Sequence, residues 1–328
     1  MGDSSNEHVV YVGPFYYPDG GAAARRILGN VQTLQVLGYV VTVASGQMDE
    51  VNHQADTVND VEVVSLNERT AEYMPRLLKH MAYLTMGKKT IAWLDSLETK
   101  PVAVILYSGY SPYLIHLLLW SRRNNVRLIF DAVEWYDPGS ILGWASPYQL
   151  NIEFAMRCLL PRLHGVISIS DYLNAYYLKK NSLSVNVPPT LDVLNTECRV
   201  DEVNCQRTLE LVYSGSPGRK DLLNNILEAV FILNAEGTRV HITVAGVSES
   251  EGLLYSSVRA RLNTVFSECI TFIGLVSHQS SLALLRAADF SVLLRNDARY
   301  SRAGFPTKFV ESMASGTPVI ANITSDLH

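Results

Sequence analysis

The chain has 328 residues, and at about 150 residues per domain this length predicts two folded domains. Hydrophobic residues make up 48% of the sequence and charged residues 18%, which is typical of a globular protein and excludes a largely disordered chain. The formal net charge of −5 at pH 7 provides no basic field for a nucleic-acid backbone, so we do not expect nucleic acid as a partner.

The N-terminus, the apolar runs and the cysteines together predict a cytoplasmic protein. Residues 1–7 are polar and acidic and lack the basic start and apolar core of a signal peptide. The apolar runs are shorter than the roughly 20 residues that a membrane-spanning helix needs. The four cysteines lack metal-ligand spacing, which predicts reduced thiols and no bound metal.

In the first half of the chain, short apolar runs alternate with longer amphipathic segments, a pattern that predicts a parallel sheet wound with helices. A helix is predicted at Leu173–Lys180, and little periodicity follows it. We therefore predict an N-terminal Rossmann-like domain at 1–185 and a linker at 186–205. The predicted strands of this domain are His8–Gly13, Tyr39–Ala44, Val61–Leu66, Val102–Tyr107, Val126–Asp131 and Gly165–Ile169.

A glycine-containing turn, GPFYYPDGG at 13–21, follows the first strand and precedes a helix that contains Arg25 and Arg26. Gly20 and Gly21 allow backbone N–H groups to approach a sugar or phosphate at the helix N-terminus. An ordinary strand-to-helix turn is the alternative interpretation. The turn lacks GxGxxG spacing and no acidic residue follows the second strand, so NAD binding is disfavoured.

Basic and aromatic residues are mixed in the segment Met74–Leu97, which we predict to be helical. One interpretation is peripheral contact with an anionic membrane at its inner face. The alternative is an amphipathic helix that covers the first sheet with its cations in water.

The second half repeats the same alternation and predicts a second Rossmann-like domain at 206–328. Its predicted strands are Leu209–Ser214, Val240–Gly246, Ile270–Gly274, Phe290–Leu294 and Pro318–Asn322.

Small residues and two cations follow the first strand of this domain, in the sequence YSGSPGRKD at 213–221. Backbone donors at a helix start and neighbouring positive charges suit a diphosphate, which makes Lys220 a candidate phosphate ligand with Arg219 beside it. A solvated surface lysine is the alternative interpretation.

The most specific motif is GFPTKFVESMASGTPVI at 304–320. Pro306 and Gly316 are placed to begin and end one short helix, whose free N–H groups lie near Thr307. Glu311 follows about one turn later, where its carboxylate can accept both hydroxyl groups of a ribose. The alternative is that Glu311 is an ordinary surface residue of an αβ unit.

Over nearly its whole length the chain resembles the GT-B-fold glycosyltransferases of family 4, which are α/β proteins with two Rossmann-like domains facing across a cleft. These enzymes transfer sugars from nucleotide diphosphate donors with retention of anomeric configuration, generally without a metal or other cofactor. The Pro-Thr-Lys form resembles the branch that builds bacterial surface polysaccharides. The matching motifs are Gly20-Gly21, Ile167-Ser168-Ile169-Ser170, Val187-Pro188-Pro189-Thr190-Leu191-Asp192, Phe305-Pro306-Thr307-Lys308 and Gly316-Thr317-Pro318.

The resemblance implies that the N-terminal domain binds a glycan or lipid-linked acceptor and the C-terminal domain the nucleotide sugar. In the C-terminal domain it implies that Glu311 binds the donor ribose, Lys220 the diphosphate, and Gly274-Leu275-Val276 the base. It implies that Lys220, Arg219 and Glu134 form the catalytic set, with charge on the leaving diphosphate stabilised by preorganised groups. No protein nucleophile is needed, because the leaving diphosphate itself takes the acceptor proton. The implied donor-binding residues are Gly20, Gly21, Gly215, Ser216, Lys220, Gly274, Leu275, Val276, Phe305, Pro306, Thr307, Lys308 and Glu311.

The chain departs from the family pattern at the first of two glutamates spaced eight positions apart, where Ala303 stands. Arg302 or Asp297 is the candidate replacement. Ser216 replaces a basic residue in the phosphate loop, which leaves binding to Lys220 and Arg219.

Two further departures concern the acceptor side and the end of the sequence. Glu134, alone or with Asp131, occupies the region where many relatives have an acceptor-facing histidine. The sequence ends at His328, before further elements of the family, which predicts an incomplete second sheet. These departures keep two alternatives open, a non-catalytic GT-B partner protein and a sugar-nucleotide epimerase.

Overall fold

The computed structural model describes residues 7–18, 21–48, 56–58, 60–69, 75, 82–108, 110–138, 143, 146–180, 182–191, 208–218, 220–237, 239–260 and 269–327. The chain divides into two compact units. Unit 1 comprises Met1–Thr190 and Ala303–Phe305, and unit 2 comprises Leu191–Arg302 and Pro306–His328. Most of the predicted linker at 186–205 lies outside the described residues.

Unit 1 is built on an eight-stranded sheet with the order β3-β4-β2-β1-β5-β6-β7-β8. Neighbouring strands are parallel except for β3 and β4, which are antiparallel. The strands are β1 His8–Gly13, β2 Val40–Ser45, β3 Asp56–Val58, β4 Val61–Ser65, β5 Ala103–Tyr107, β6 Arg127–Ala132, β7 Gly165–Ser168 and β8 Ser184–Asn186. Its helices are α1 Ala22–Val36, α2 Lys88–Ser96, α3 Ser111–Asn124, α4 Pro147–Phe154 and α5 Asp171–Leu178.

The central strand β1 is buried on both faces. Val10 and Val12 pack into one hydrophobic cluster, whereas Val9 and Tyr11 pack into another on the opposite face. A continuous apolar run of this kind is what a parallel strand covered by helices on both sides requires. The sheet is therefore the middle layer of unit 1.

The predicted helical segment Met74–Leu97 is interrupted in its described part. Gly87 has a φ of 96°, a left-handed conformation that ends one helical turn before α2 begins at Lys88. Tyr83, Ile91 and Trp93 pack against the core of unit 1, as in a segment that covers the sheet. None of the helices in the described ranges has both the length and the apolar character that crossing a lipid bilayer requires.

Unit 2 is built on a five-stranded sheet with the order β11-β10-β9-β12-β13. All of its neighbouring strands are parallel. The strands are β9 Leu209–Ser214, β10 Val240–Ala245, β11 Ile270–Gly274, β12 Phe290–Leu293 and β13 Val319–Ala321. The helices are α6 Leu223–Leu233, α7 Glu249–Gly252, α8 Ser256–Arg259, α9 His278–Ala287, α10 Arg299–Ala303 and α11 Thr307–Ala314.

The core of unit 2 forms where α6 covers the sheet. Leu223, Ile226, Leu227 and Val230 are buried at the spacing of one helix face and join a cluster with strand residues such as Ile242. The strand order reverses at β9, which pairs with β10 on one side and β12 on the other. In open parallel sheets ligands bind at the carboxyl ends of the strands beside such a reversal.

Candidate functional site

Three glycines line the carboxyl edge of the sheet in unit 2. Gly215, Gly246 and Gly274 end or follow β9, β10 and β11, and their φ values are 114°, 95° and 71°. A Cβ atom at Gly215 would lie 2.7 Å from the Lys308 side chain, and one at Gly246 would lie 2.7 Å from the backbone of Gly215. The edge therefore needs glycine both for its backbone conformation and for its close packing.

A cluster of charged residues lies at the same edge, between the loop after β9 and the start of α11. The Lys308 ammonium donates to Asp221 at 2.5 Å and to the Tyr213 hydroxyl at 2.7 Å. Arg295 Nε donates to the other Asp221 oxygen at 3.0 Å. We call Tyr213, Asp221, Arg295 and Lys308 the edge cluster. It holds two cations and one carboxylate, so its formal charge is positive.

Burial and charge act in opposite directions on the acidic and basic members of the edge cluster. Burial alone would raise the pKa of Asp221, but the Lys308 ammonium and the Arg295 guanidinium bring it below its usual value. Burial lowers the pKa of Lys308, and the Asp221 carboxylate opposes that shift. Burial, followed by the Asp221 charge, raises the pKa of Tyr213, which keeps its hydroxyl protonated. The cluster thus holds Asp221 ionised at neutral pH.

Backbone hydrogen bonds fix the loop that carries Lys220. Leu222 N donates to the carbonyl of Leu294 at 2.8 Å, immediately after the carboxyl end of β12. Asn322 then binds the backbone of Arg295 twice, at 2.9 and 2.7 Å. Lys220 lies next to Asp221 in this anchored loop and is partly exposed. Its position is therefore set by the ends of three strands.

The helix α11 places Glu311 below the edge cluster. Pro306 and the left-handed Gly316 flank this helix, as the sequence motif predicts. The Glu311 side chain is only 7% exposed and lines a small cavity with Lys308, Ser291 and other residues of the sheet and helix. A carboxylate beside hydroxyl groups and an ammonium group can bind a ligand that carries hydroxyls.

The other predicted donor-binding residues lie on different parts of the two units. Ser216 is exposed after Gly215, and Leu275, after Gly274 and before Val276, has 87% of its surface exposed. Gly21, at the N-cap of α1 with a φ of 63°, belongs to unit 1. Phe305 also clusters with unit 1. Gly20 and Arg219 lie outside the described residues.

A buried network in unit 1 changes the interpretation of Asp131. Arg26 donates to Asp131 at 2.7 Å, and their side chains are 3% and 0% exposed. Tyr11 and Asn30 also donate to this carboxylate. Asp131 and Arg26 are therefore structural partners inside unit 1, and the acceptor-facing role considered for Asp131 is replaced by this one. Glu134 lies two residues beyond β6 and is partly exposed.

The two residues considered as replacements for the missing glutamate bind each other. Arg302 Nε lies 3.3 Å from Asp297 Oδ1. Ala303 is fully buried, and its carbonyl accepts a hydrogen bond from Ser170 Oγ at 2.7 Å. The sequence alone could not predict this ion pair or this hydrogen bond, because both depend on contacts set by the fold.

Residues 209–326 match the family model described as Glycosyl transferases group 1. This stretch contains the edge cluster, α11 and the three glycines, so unit 2 carries a glycosyltransferase group 1 domain. The prediction of a glycosyltransferase enzyme is confirmed at that level. No curated protein sequence matches the chain closely enough to count as a relative.

Several solved structures share this architecture at low sequence identity. The sucrose-phosphate synthase of Thermosynechococcus elongatus superposes with a TM-score of 0.68 at 16% identity, over 96% of this chain and 81% of that one. The catalytic domain of starch synthase IV from Arabidopsis thaliana, bound to ADP and acarbose, gives 0.64 at 11% identity over 97% and 83%. Anabaena HepE in complex with UDP-glucose gives 0.59 at 13% identity over 96% and 80%. The predicted α/β GT-B fold is confirmed.

Proposed function

We propose that the protein is a retaining glycosyltransferase of family 4 that moves a sugar from a nucleoside diphosphate sugar to a hydroxyl group of a glycan or lipid-linked acceptor. The observation that carries this proposal is the carboxyl edge of unit 2, where a positive cluster, a helix start and a buried carboxylate meet at a strand-order reversal. A diphosphate and a ribose present the complementary groups.

The diphosphate is assigned to Lys220, Arg219 and the first turn of α11. The edge cluster adds positive charge because Asp221 neutralises only one of its two cations, Lys308 and Arg295. The dipole of α11 also favours an anion at Thr307. Gly215 and Gly246 have left-handed backbone conformations, which leave the sheet edge without side chains at these positions and allow a ligand close to the backbone.

The ribose and base are assigned to neighbouring groups. Glu311 accepts the ribose hydroxyls, and serine hydroxyls and the Lys308 ammonium are the polar groups beside it. The exposed Leu275 side chain offers an apolar surface for the base at the end of β11. The related structures contain different nucleotides, ADP for starch synthase IV and UDP-glucose for HepE. The base is therefore left to experiment.

Transfer proceeds without a protein nucleophile in this proposal. The bond between the anomeric carbon and the β-phosphate oxygen breaks, and the acceptor oxygen bonds to the same carbon from the same face. The acceptor hydroxyl proton passes to the leaving diphosphate, whose charge Lys220 and Arg219 stabilise. Glu134, on unit 1, contacts the acceptor. No metal or other cofactor takes part in the proposed reaction.

The cellular role proposed is synthesis of surface polysaccharide in the cytoplasm, with peripheral membrane contact where the acceptor is lipid-linked. The support is the resemblance of the Pro306-Thr307-Lys308 motif to that branch of the family. The membrane part of this role stays a prediction.

The proposal is tested by incubating the protein with UDP-, GDP- and ADP-sugars and a set of methyl glycosides, with products followed by NMR. We expect transfer from one donor class, an anomeric coupling that matches the donor, and loss of transfer in Lys220→Met. Glu311→Gln should weaken donor binding, because an amide is a poorer acceptor for two hydroxyls than a carboxylate. An inverted product, or conversion of the donor to its epimer without an acceptor, would contradict the proposal.

A further inference from the structure

Three tyrosines form a continuous aromatic surface in unit 1. The rings of Tyr83 and Tyr110 lie 4.6 Å apart with an interplanar angle of 42°. The rings of Tyr110 and Tyr148 lie 6.3 Å apart with an angle of 62°. Tyr148 is 52% exposed, and the other two are partly buried. We call Tyr83, Tyr110 and Tyr148 the tyrosine shelf.

The tyrosine shelf lies at the carboxyl edge of the sheet in unit 1. Tyr110 follows β5 by three residues and forms the N-cap of α3. Asn151 accepts a hydrogen bond from Ser111 N at 2.7 Å, which holds α4, and with it Tyr148, against the start of α3. The central strand β1 has β2 on one side and β5 on the other, so the strand order reverses next to the shelf. This is the position at which open parallel sheets bind ligands.

Opposite charges flank the tyrosine shelf. Arg69 stacks over the Tyr16 ring, 4.4 Å from its centroid, and donates to the carbonyl of Pro14 at 2.8 Å. Burial raises the pKa of Tyr110, and the positive charge of Arg69 opposes this shift. Burial and then the Glu134 carboxylate raise the pKa of Tyr148. A guanidinium group and a carboxylate therefore both act on tyrosines of the shelf.

This combination fits a pyranoside ring. The C–H bonds on one face of a pyranose carry partial positive charge and stack against the negative face of an aromatic ring. Its hydroxyl groups at the ring edge both donate and accept, which matches the carboxylate and the guanidinium near the shelf. A lipid hydrocarbon chain has no hydrogen-bonding groups that Arg69 or Glu134 could bind. We propose that the tyrosine shelf binds the terminal pyranoside of the acceptor, stacked by one face on the exposed Tyr148 ring, against which Tyr110 packs.

This inference rests on the proposed function, because an acceptor is needed only if sugar is transferred. It adds to that function the class of acceptor, a neutral pyranoside end of a glycan, and the residues that select it. The shelf lies entirely within unit 1, whereas the nucleotide groups proposed above lie in unit 2, apart from Gly20, Gly21 and Phe305. Glycoside binding and nucleotide binding can therefore be lost independently of each other.

Saturation-transfer NMR with methyl glycosides, measured in the presence of a nucleoside diphosphate, tests the shelf directly. We expect the strongest saturation at ring protons that share one face of the bound glycoside, because those protons contact the tyrosines. Tyr148→Leu should weaken binding roughly three- to tenfold, since it removes one stacking ring. Tyr148→Phe keeps the ring and should bind within about twofold of the original protein.

A matched control is Tyr39→Leu, because Tyr39 precedes β2 at the opposite edge of the same sheet and is partly buried there. It should leave glycoside binding unchanged. Equal binding by Tyr148→Leu and the original protein would overturn the inference, as would even saturation of both ring faces. Loss of binding to anionic phospholipid vesicles in Tyr148→Leu, without any glycoside binding, would reassign the shelf to a membrane. If the protein binds nucleotide but no glycoside, the inference about the tyrosine shelf is wrong and the proposed donor site stands. If it binds neither, the proposed function is wrong.

Discussion

The two units each place a tyrosine, an aspartate and a basic side chain together near the carboxyl edge of a parallel sheet, but the two groupings differ in charge and exposure. In unit 1, Arg26 and Asp131 are 3% and 0% exposed and neutralise each other. In the edge cluster of unit 2, Asp221 faces two cations, and Lys308 is 22% exposed. One network is closed and neutral, whereas the other is open and positive.

This difference separates a structural role from a binding role. The network in unit 1 joins α1 to β6, and Arg26 also donates to the Val187 carbonyl at 2.8 Å, so it holds the chain that leaves β8. Its groups have no remaining charge to offer a ligand. The edge cluster has a partly exposed ammonium group, that of Lys308, near Lys220 and at the start of α11. Only the second network is therefore suited to bind a diphosphate.

The largest expected effect is on the closed network. Asp131→Asn leaves the Arg26 guanidinium buried without its carboxylate, and we expect unit 1 to lose about 3–5 kcal/mol of stability. Hydrogen exchange of the β1 amides measures this, because it reports each unit separately. Asp95→Asn, which weakens the exposed pair with Lys100 in the same unit, is the control and should change little. A loss no larger than the control's would show that the network is not structural.

A smaller effect is expected when the same change is made in the open network. Asp221→Asn leaves Lys308 and Arg295 next to each other, but Lys308 is partly exposed and can turn toward water. We expect a loss of about 1–3 kcal/mol, measured by hydrogen exchange of the β9 amides. A loss as large as that of Asp131→Asn would remove the distinction between the two networks.

The pH dependence of unit 2 gives a finer test of the edge cluster. The pKa of Asp221 is lower in the folded protein than its usual value of about 3.9. The ionised carboxylate therefore stabilises unit 2 fully above about pH 4, and this contribution is lost as pH falls through the lower folded pKa. The stability difference between the original protein and Asp221→Asn should be constant near neutral pH and shrink in acid. A difference that grows in acid would have the wrong sign.

The smallest effect concerns the charge of Lys308 on ligand binding. Lys308→Met makes the edge cluster neutral, and we expect diphosphate affinity to fall about fivefold at about 0.01 M salt and much less at about 1 M, where the Debye length is about 3 Å. Lys89→Met is the control, since Lys89 is an exposed lysine of unit 1 whose ammonium group also donates a hydrogen bond, to the carbonyl of Asn67 at 2.6 Å. An equal loss at both salt concentrations would indicate lost geometry, not lost charge.

The fold was predictable where the apolar pattern is strong. The predicted strands Leu209–Ser214 and Ile270–Gly274 coincide with β9 and β11. Two three-residue strands, β3 and β8, were not predicted, because so short a run at the border of a sheet shows no alternation. The break at Gly87 was also missed, although a glycine within a helical pattern is a recognised signal for one.

The candidate site was predictable as motifs but not as contacts. The short helix that carries Glu311 begins after Pro306 and ends before Gly316, as these two residues predict. The bond between Lys308 and Asp221 joins residues 87 positions apart, and the pair of Arg26 with Asp131 spans 105. Sequence spacing does not encode such contacts, which follow from strand order. A carboxylate directly after the apolar run Leu128–Phe130 of β6 was the local sign of a buried partner.

The central claim is that the edge of unit 2 binds a nucleoside diphosphate through Lys220, and calorimetric titration with UDP, GDP and ADP tests it most directly. Lys220→Met should weaken binding of the preferred nucleotide roughly 10- to 150-fold, the effect of losing one charge-assisted hydrogen bond of about 1.5–3 kcal/mol. Lys179→Met, at an exposed lysine after α5, should bind as the original protein does. Equal affinities for all three proteins, or no binding of any nucleotide, would contradict the claim.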